Sequence, residues 1–194
     1  MRFFRFWPRG NDRDKSLAFV RDEPSGLGLY DFYMRQGKRI GENYPDNARV
    51  YLDPQTPGIK LESVLGNLCS YMMVDIKTKD VVLSVCTNEI EVLPFTLYNH
   101  KKRIHSKDYV ILNPIGTFDC VNRPASKITY EGDQIVGVDV LVFDSNKVDD
   151  APHLFRVPEK PSWYFITDVL ARAMKIANLT NVIVKEEIQL QPGQ

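Results

Sequence analysis

The sequence holds few features that dedicated chemistry requires. Three cysteines in 194 residues, Cys69, Cys86 and Cys120, are an odd number without zinc-type spacing, and they read as thiols in a reducing compartment. The sequon Asn178-Leu179-Thr180 is then chemically idle. Long apolar runs are missing. Val136 to Phe143 is broken by Asp139 and falls far short of a membrane span. The opening "MRFFRFWPRG" is basic and aromatic, but Arg5, Pro8 and Arg9 interrupt any signal-peptide core. A soluble cytoplasmic protein, with no membrane partner, is the expectation. Charge of one sign is missing as well: Lys plus Arg and Asp plus Glu each number 25. That balance lacks the basic footprint of a nucleic-acid binder.

Catalytic and cofactor motifs fare no better. "GLG" at 26–28 has neither the third glycine nor the Gly-Lys-Ser/Thr end of a phosphate loop. His100 and His105 are five apart, not the i, i+4 pair that binds zinc on a helix. Glu89 and Glu91 share one side of a strand, with nothing in sequence to set their acidities apart. Cys120 beside Asp119 is a nucleophile only if a base reaches it; the simpler reading is a buried small residue at a strand end. No catalytic residue, metal or cofactor is therefore expected.

What is present has ordinary globular proportions, 43% hydrophobic and 26% charged. A chain of this length buries roughly 70% of its unfolded surface without staples. Residues 1–60 concentrate proline and glycine in "RDEPSGLGLYD" and "LDPQTPGIK", which marks turns and an irregular segment packed on the rest. A short strand is expected at Arg49–Leu52, ending at Asp53-Pro54. From Ser70 the pattern sharpens: "SYMMV" reads as a buried strand, Asp75 as an N-cap, and Val81, Val82 and Val85 as one face of a helix. Glu89 to Val92 then alternates as a strand does.

An offset of 92 residues places "SWYFI" (162–166) on "SYMMV" (70–74) and Thr167 on Asp75. Val169, Leu170, Ala173, Met174 and Ala177 form the apolar face of the second helix. Duplication (70–92 and 162–184) and convergence on a common strand–helix–strand unit both explain the likeness. Between the units lie β-branched, aromatic stretches, with "EGDQ" at 131–134 as a hairpin turn. The fold class is α+β, with mixed and antiparallel sheets and two strand–helix–strand units flanking a β-rich middle. Pro152, Pro158 and Pro161 demand an extended connector, from which Phe155 and Val157 insert inward.

Two charged stretches remain. Lys101 to Lys107 holds four cations and no carboxylate, a solvated hairpin tip rather than a phosphate platform, since interleaved aromatics are missing. Residues 131–150 carry six acids against Lys147 alone. Of these, Glu131, Asp133, Asp144, Asp149 and Asp150 are the candidate partner-binding residues, a negative surface that steers a basic protein.

Several stretches also form a familiar series: "GNLCSYMMV", "YVILNPIGTFDCVN" (109–122), "VLVFDSNKV" (140–148) and the run from His153 to Glu187. From about residue 60 onward this series resembles a bacterial family, first catalogued as a domain of unknown function. It was later grouped with the immunity proteins of polymorphic toxin systems, with a Myxococcus kin-discrimination protein as its named example. The resemblance implies an α+β immunity domain over 61–194 and a cytoplasmic, stoichiometric inhibitor of a cognate toxin domain, a nuclease among the possible targets. Two other readings are a hydrolase or transferase centred on Cys120 and a binding module of a secretion apparatus. Loss of function in Cys120→Ser would favour the first; stable co-purification with apparatus components would favour the second.

Overall fold

A computed structural model describes residues 1–193. In its first half the chain forms β1 (Phe3–Phe6), β2 (Phe19–Val20), α1 (Tyr30–Arg35), β3 (Arg49–Tyr51), β4 (Gly66–Asn67), β5 (Met72–Asp75), α2 (Ile76–Val85) and β6 (Ile90–Tyr98). The second half adds β7 (Ile104–Pro114), β8 (Lys127–Glu131), β9 (Gln134–Val140), β10 (Val142–Asp144), β11 (Leu154–Phe155), β12 (Tyr164–Thr167), α3 (Asp168–Ile176), β13 (Val184–Glu187) and β14 (Gln189–Gln191). The fold is α+β, as expected.

Both helices start where capping chemistry places them. The Asp75 carboxylate accepts from Thr78 N at 2.7 Å, and the Thr167 hydroxyl accepts from Leu170 N at 3.4 Å. α3 ends with Asn178 in the left-handed region at φ 54°, and Leu179 N closes back on Met174 O. The buried stripes are narrower than the sequence implies. Thr78 and Val82 are the buried residues of α2, and Leu170 and Met174 those of α3, while Val169 is 40% exposed.

The strands of each unit are not neighbours. β5 and β6 both pair antiparallel with β7, which lies between them; β12 and β13 likewise flank β1. Each is a split β-α-β unit, and β3 and β11 extend the two sheets at one edge. Residues 92 apart occupy like places: Met72 and Tyr164, Val74 and Ile166, and Val82 and Met174 all enter one central core, together with Leu170. Met72 N even donates to the Tyr164 hydroxyl at 3.3 Å. Two further cores lie on the far faces. Met73, Phe95 and Ile111 pack with Leu27, Met34 and Val50 on one side. Phe3, Phe143, Phe155 and Phe165 pack edge-on or tilted on the other, with centroids 5.2–6.0 Å apart.

The N-terminal segment departs from the irregular overlay that its composition implies. β1 is an inner strand, with Phe3 opposite Thr167 and Phe6 opposite Tyr164. "FFRF" shows no alternation because both of its faces are covered: Phe3 enters one core and Phe6 another. α1 likewise forms inside a stretch that reads as turns. The expected hairpin forms, with Glu131 opposite Gln134, but Gly132 alone takes positive φ, at 58°.

Candidate partner-binding surface

The acidic candidates differ in exposure. Glu131 and Asp133 are exposed at the β8–β9 tip, and Asp149 and Asp150 are exposed beyond β10. The run Gln134–Asp144 separates the two pairs along the chain. Asp144 differs from the other four: it is 7% exposed, and its Oδ1 accepts from Asn146 N and Gly193 N, both at 2.9 Å. Those backbone donors hold its carboxyl below the usual range. A Cβ on Gly193 would press against the Asp144 carboxylate. Asp144 Oδ1 thus ties down the C-terminal segment.

A surface that the sequence reading did not identify lies on α1. Met34 is its one buried residue. Leu29 is 84% exposed and Phe32 61%, with Tyr30 and Tyr33 beside them. Tyr30 packs tilted and Phe32 edge-on against Tyr33, and Lys38 Nζ lies 5.1 Å from the Tyr33 centroid. Aromatic side chains of this kind are the usual anchors of protein interfaces. The signal in sequence was three aromatics within four residues beside glycines, a composition too rich for an idle loop.

Arg156 holds this region in place. It is fully buried, a position that charge alone argues against. Its guanidinium donates to the main-chain carbonyls of Met34 and Arg35 at the end of α1, of Pro114 at the end of β7, and of Pro161 in the connector. It also donates to Asn113 Oδ1 at 3.2 Å and to the Tyr164 hydroxyl at 2.8 Å, and it lies 4.2 Å from the Tyr164 ring centroid. Asn113 Nδ2 in turn donates to Glu91 Oε2 at 3.0 Å. Glu91 faces inward with Leu93 and Phe95, where Ile40 N and Gly41 N cap its carboxylate. Glu89 instead lies exposed against Arg39, so the two glutamates occupy different surroundings after all. The relay Glu91–Asn113–Arg156 joins opposite charges through one amide and fixes four chain segments around it.

Cys120 is fully buried. Burial, with the nearby charges of Glu159 and Asp119, pushes its thiol well above the ordinary range. No histidine bonds to it. His100 meets Asp53 O, His105 meets Ile59 O, and His153 meets the Thr167 hydroxyl. The thiol packs beside Phe3 and Phe143. Phe155 and Val157 do insert inward, at 3% and 0% exposure. The cations of the Lys101–Lys107 stretch sit on an exposed hairpin tip. Among the described residues no cluster of His, Cys, Asp or Glu could hold a metal ion, and no helix is long and apolar enough to cross a membrane.

A comparison with curated proteins finds no match. The model of the Imm11 immunity protein family, in contrast, matches residues 3–186. That match takes in β1, α1 and the Arg156 relay, well beyond the region from residue 60 onward that carries the resemblance in sequence. By this match the chain belongs to the Imm11 immunity protein family.

Proposed function

We propose that this protein is the cytoplasmic antidote of a polymorphic toxin system. It binds one cognate toxin domain, occludes it or locks it inactive without turnover, and so serves kin discrimination. The observation that carries this reading is the family match across residues 3–186. Surface chemistry supports it. The aromatic residues of α1 offer anchors for a buried interface centre, and the exposed acids Glu131, Asp133, Asp149 and Asp150 offer a rim that speeds encounter with a basic partner. A nucleic-acid-cleaving toxin, with its basic cleft, is the class those acids complement. A neutral net charge makes this a local effect of the rim rather than a field of the whole molecule.

Titration of toxin activity tests the mechanism. Activity of the purified toxin domain encoded by the neighbouring gene should fall linearly and end at one equivalent of this protein, with a one-to-one complex on sizing. Inactivation by far less than one equivalent would mean turnover and would overturn the inhibitor reading.

A further inference from the structure

β8 and β9 form a two-stranded ribbon that joins no other sheet. Ile128 and Val138 hold it to the body by packing against the third core. Toward the tip that support ends, and Tyr130, Ile135 and Val136 are exposed. A lone two-stranded ribbon is marginal in water and gains from further strands.

Its two edges are not alike. The register skips Val136 and Asp139, so both extra residues bulge from β9, which blunts that edge against pairing. β9 also borders the body: Ile135 to Val138 line a groove with the connector, and Asp139 to Leu141 line another with Trp163. β8 lines neither groove, and its five residues run without a bulge. Among the described residues its main chain bonds to β9 alone. Glu131 and Gln134 flank the two-residue turn, so Glu131 turns its N–H and C=O toward β9, and the direction alternates from there. The main-chain groups of Lys127 and Thr129 therefore point inward, and those of Ile128 and Tyr130 point away from the ribbon.

We infer that the β8 edge pairs antiparallel with β8 of a second copy of this chain, joining two ribbons into one continuous sheet. Outward groups must meet outward groups, and the register centred on Thr129 does this with every residue of β8 overlapped. Ile128 then exchanges main-chain hydrogen bonds with Tyr130 of the second copy, and their side chains form a β-branched–aromatic pair. The two Thr129 side chains meet at the two-fold axis, in a pair of the closely spaced kind. Lys127 falls opposite Glu131 of the second copy. A lysine on an open edge normally guards against pairing, but here the incoming strand brings the acid that answers it. Lys127 already meets Asp139 across the hairpin at 3.1 Å, with both side chains exposed, and Asp133 stands beyond at the tip. The charge pairing therefore selects the register and adds little affinity. A net charge of zero leaves no long-range repulsion between copies. Five residues a side bury less than the standard interface of about 1,600 Å², so the dimer is a weak one.

Sedimentation equilibrium of the full-length protein tests this without any toxin, so its failure leaves the inhibitor reading untouched. The average mass should climb toward twice that of the monomer as concentration rises to about 1 mM. Tyr130→Pro removes an outward N–H and no bond of the hairpin, and it should stay monomeric. Should that variant fail to fold, Glu131→Lys sets lysine against lysine at both ends and should raise the dimer Kd by about 10-fold. Thr129→Cys should form a disulfide dimer under mild oxidation, because closely spaced antiparallel pairs lie within disulfide reach and the three native cysteines are buried. Val136→Cys, on a bulge of β9, should not. A wild type that stays monomeric at about 1 mM, a folded edge variant that dimerises as wild type does, or equal crosslinking through Val136→Cys would overturn the pairing. A monomeric wild type whose toxin binding is lost with Tyr130→Pro would overturn it too, and would give the edge to a strand of the toxin.

Discussion

Replacement of Arg156 by methionine tests whether one buried cation organises the centre of this molecule. Six acceptors surround the guanidinium, and four of them are main-chain carbonyls that no substitution removes. Hydrogen bonds to a charged group contribute about 1.5–3 kcal/mol each. A simple sum overshoots, because some contacts are long, up to 3.5 Å, and because burying the charge itself costs several kcal/mol. The expected net loss is about 3–5 kcal/mol, that of breaking a buried ionic network on one side. Methionine fills much of the volume but leaves the four carbonyls and Asn113 Oδ1 without their donor, and takes away the cation that faces Glu91 through Asn113. Arg156→Lys keeps the charge without the planar fork and should lose about half as much.

Urea unfolding followed by the fluorescence of Trp7 and Trp163 measures this. With an m-value of about 2–3 kcal/mol/M for a chain of this size, the midpoint should fall by about 1–2 M in the methionine variant. Rotation of the α1 carboxyl end away from the connector should accompany the loss. A midpoint within about 0.3 M of wild type would mean that the relay contributes under about 1 kcal/mol, and the account of how α1 and the connector are held together would fall.

Three further outcomes are expected. Cys69 and Cys86, whose thiols burial pushes up to about 12, and Cys120 should resist an aromatic disulfide reagent at pH 8 in the native protein and react together in denaturant; rapid native labelling of any one would contradict its burial. Asp144 is depressed by its backbone donors in the folded state, so the stability it contributes is complete above the ordinary aspartate value of about 3.9 and is lost as pH falls through its lower native value. Asp144→Asn should therefore flatten acid unfolding below about pH 4, and an unchanged acid limb would refute the linkage. Charge reversal at Asp149 and Asp150 should slow association with the toxin severalfold at low salt and leave dissociation nearly unchanged; an unchanged on-rate would remove the acidic rim.

Much of the fold was legible because its signals are local. Asp75 and Thr167 cap helices through bonds spanning three residues, and the 131–134 turn closes on its own neighbours. The relation between residues 70–92 and 162–184 was visible as pattern, but not the strand that splits each unit. β1 pairs with residues more than 150 positions away, and no local signal announces such a partner. Arg156, Glu91 and Asp144 were illegible for another reason. Hydropathy places charged residues outside, and what makes their burial tolerable is a set of acceptors and donors gathered from distant segments. Side-chain exposure was the least legible. The acids stood out in sequence, yet Asp144 is structural, and the aromatics of α1 were hidden in a segment that reads as turn. A six-residue helix with one inward residue has too little periodicity to reveal its exposed face.

The most direct test of the central claim is growth of a naive bacterium expressing the toxin domain encoded by the neighbouring gene, with and without this protein and its Cys120→Ala variant. The account predicts growth arrest by the toxin alone and equal rescue by wild type and variant, since the thiol is packing and the antidote works by binding. Continued arrest in the presence of well-folded wild-type protein, or rescue that vanishes with the Cys120 thiol, would contradict it.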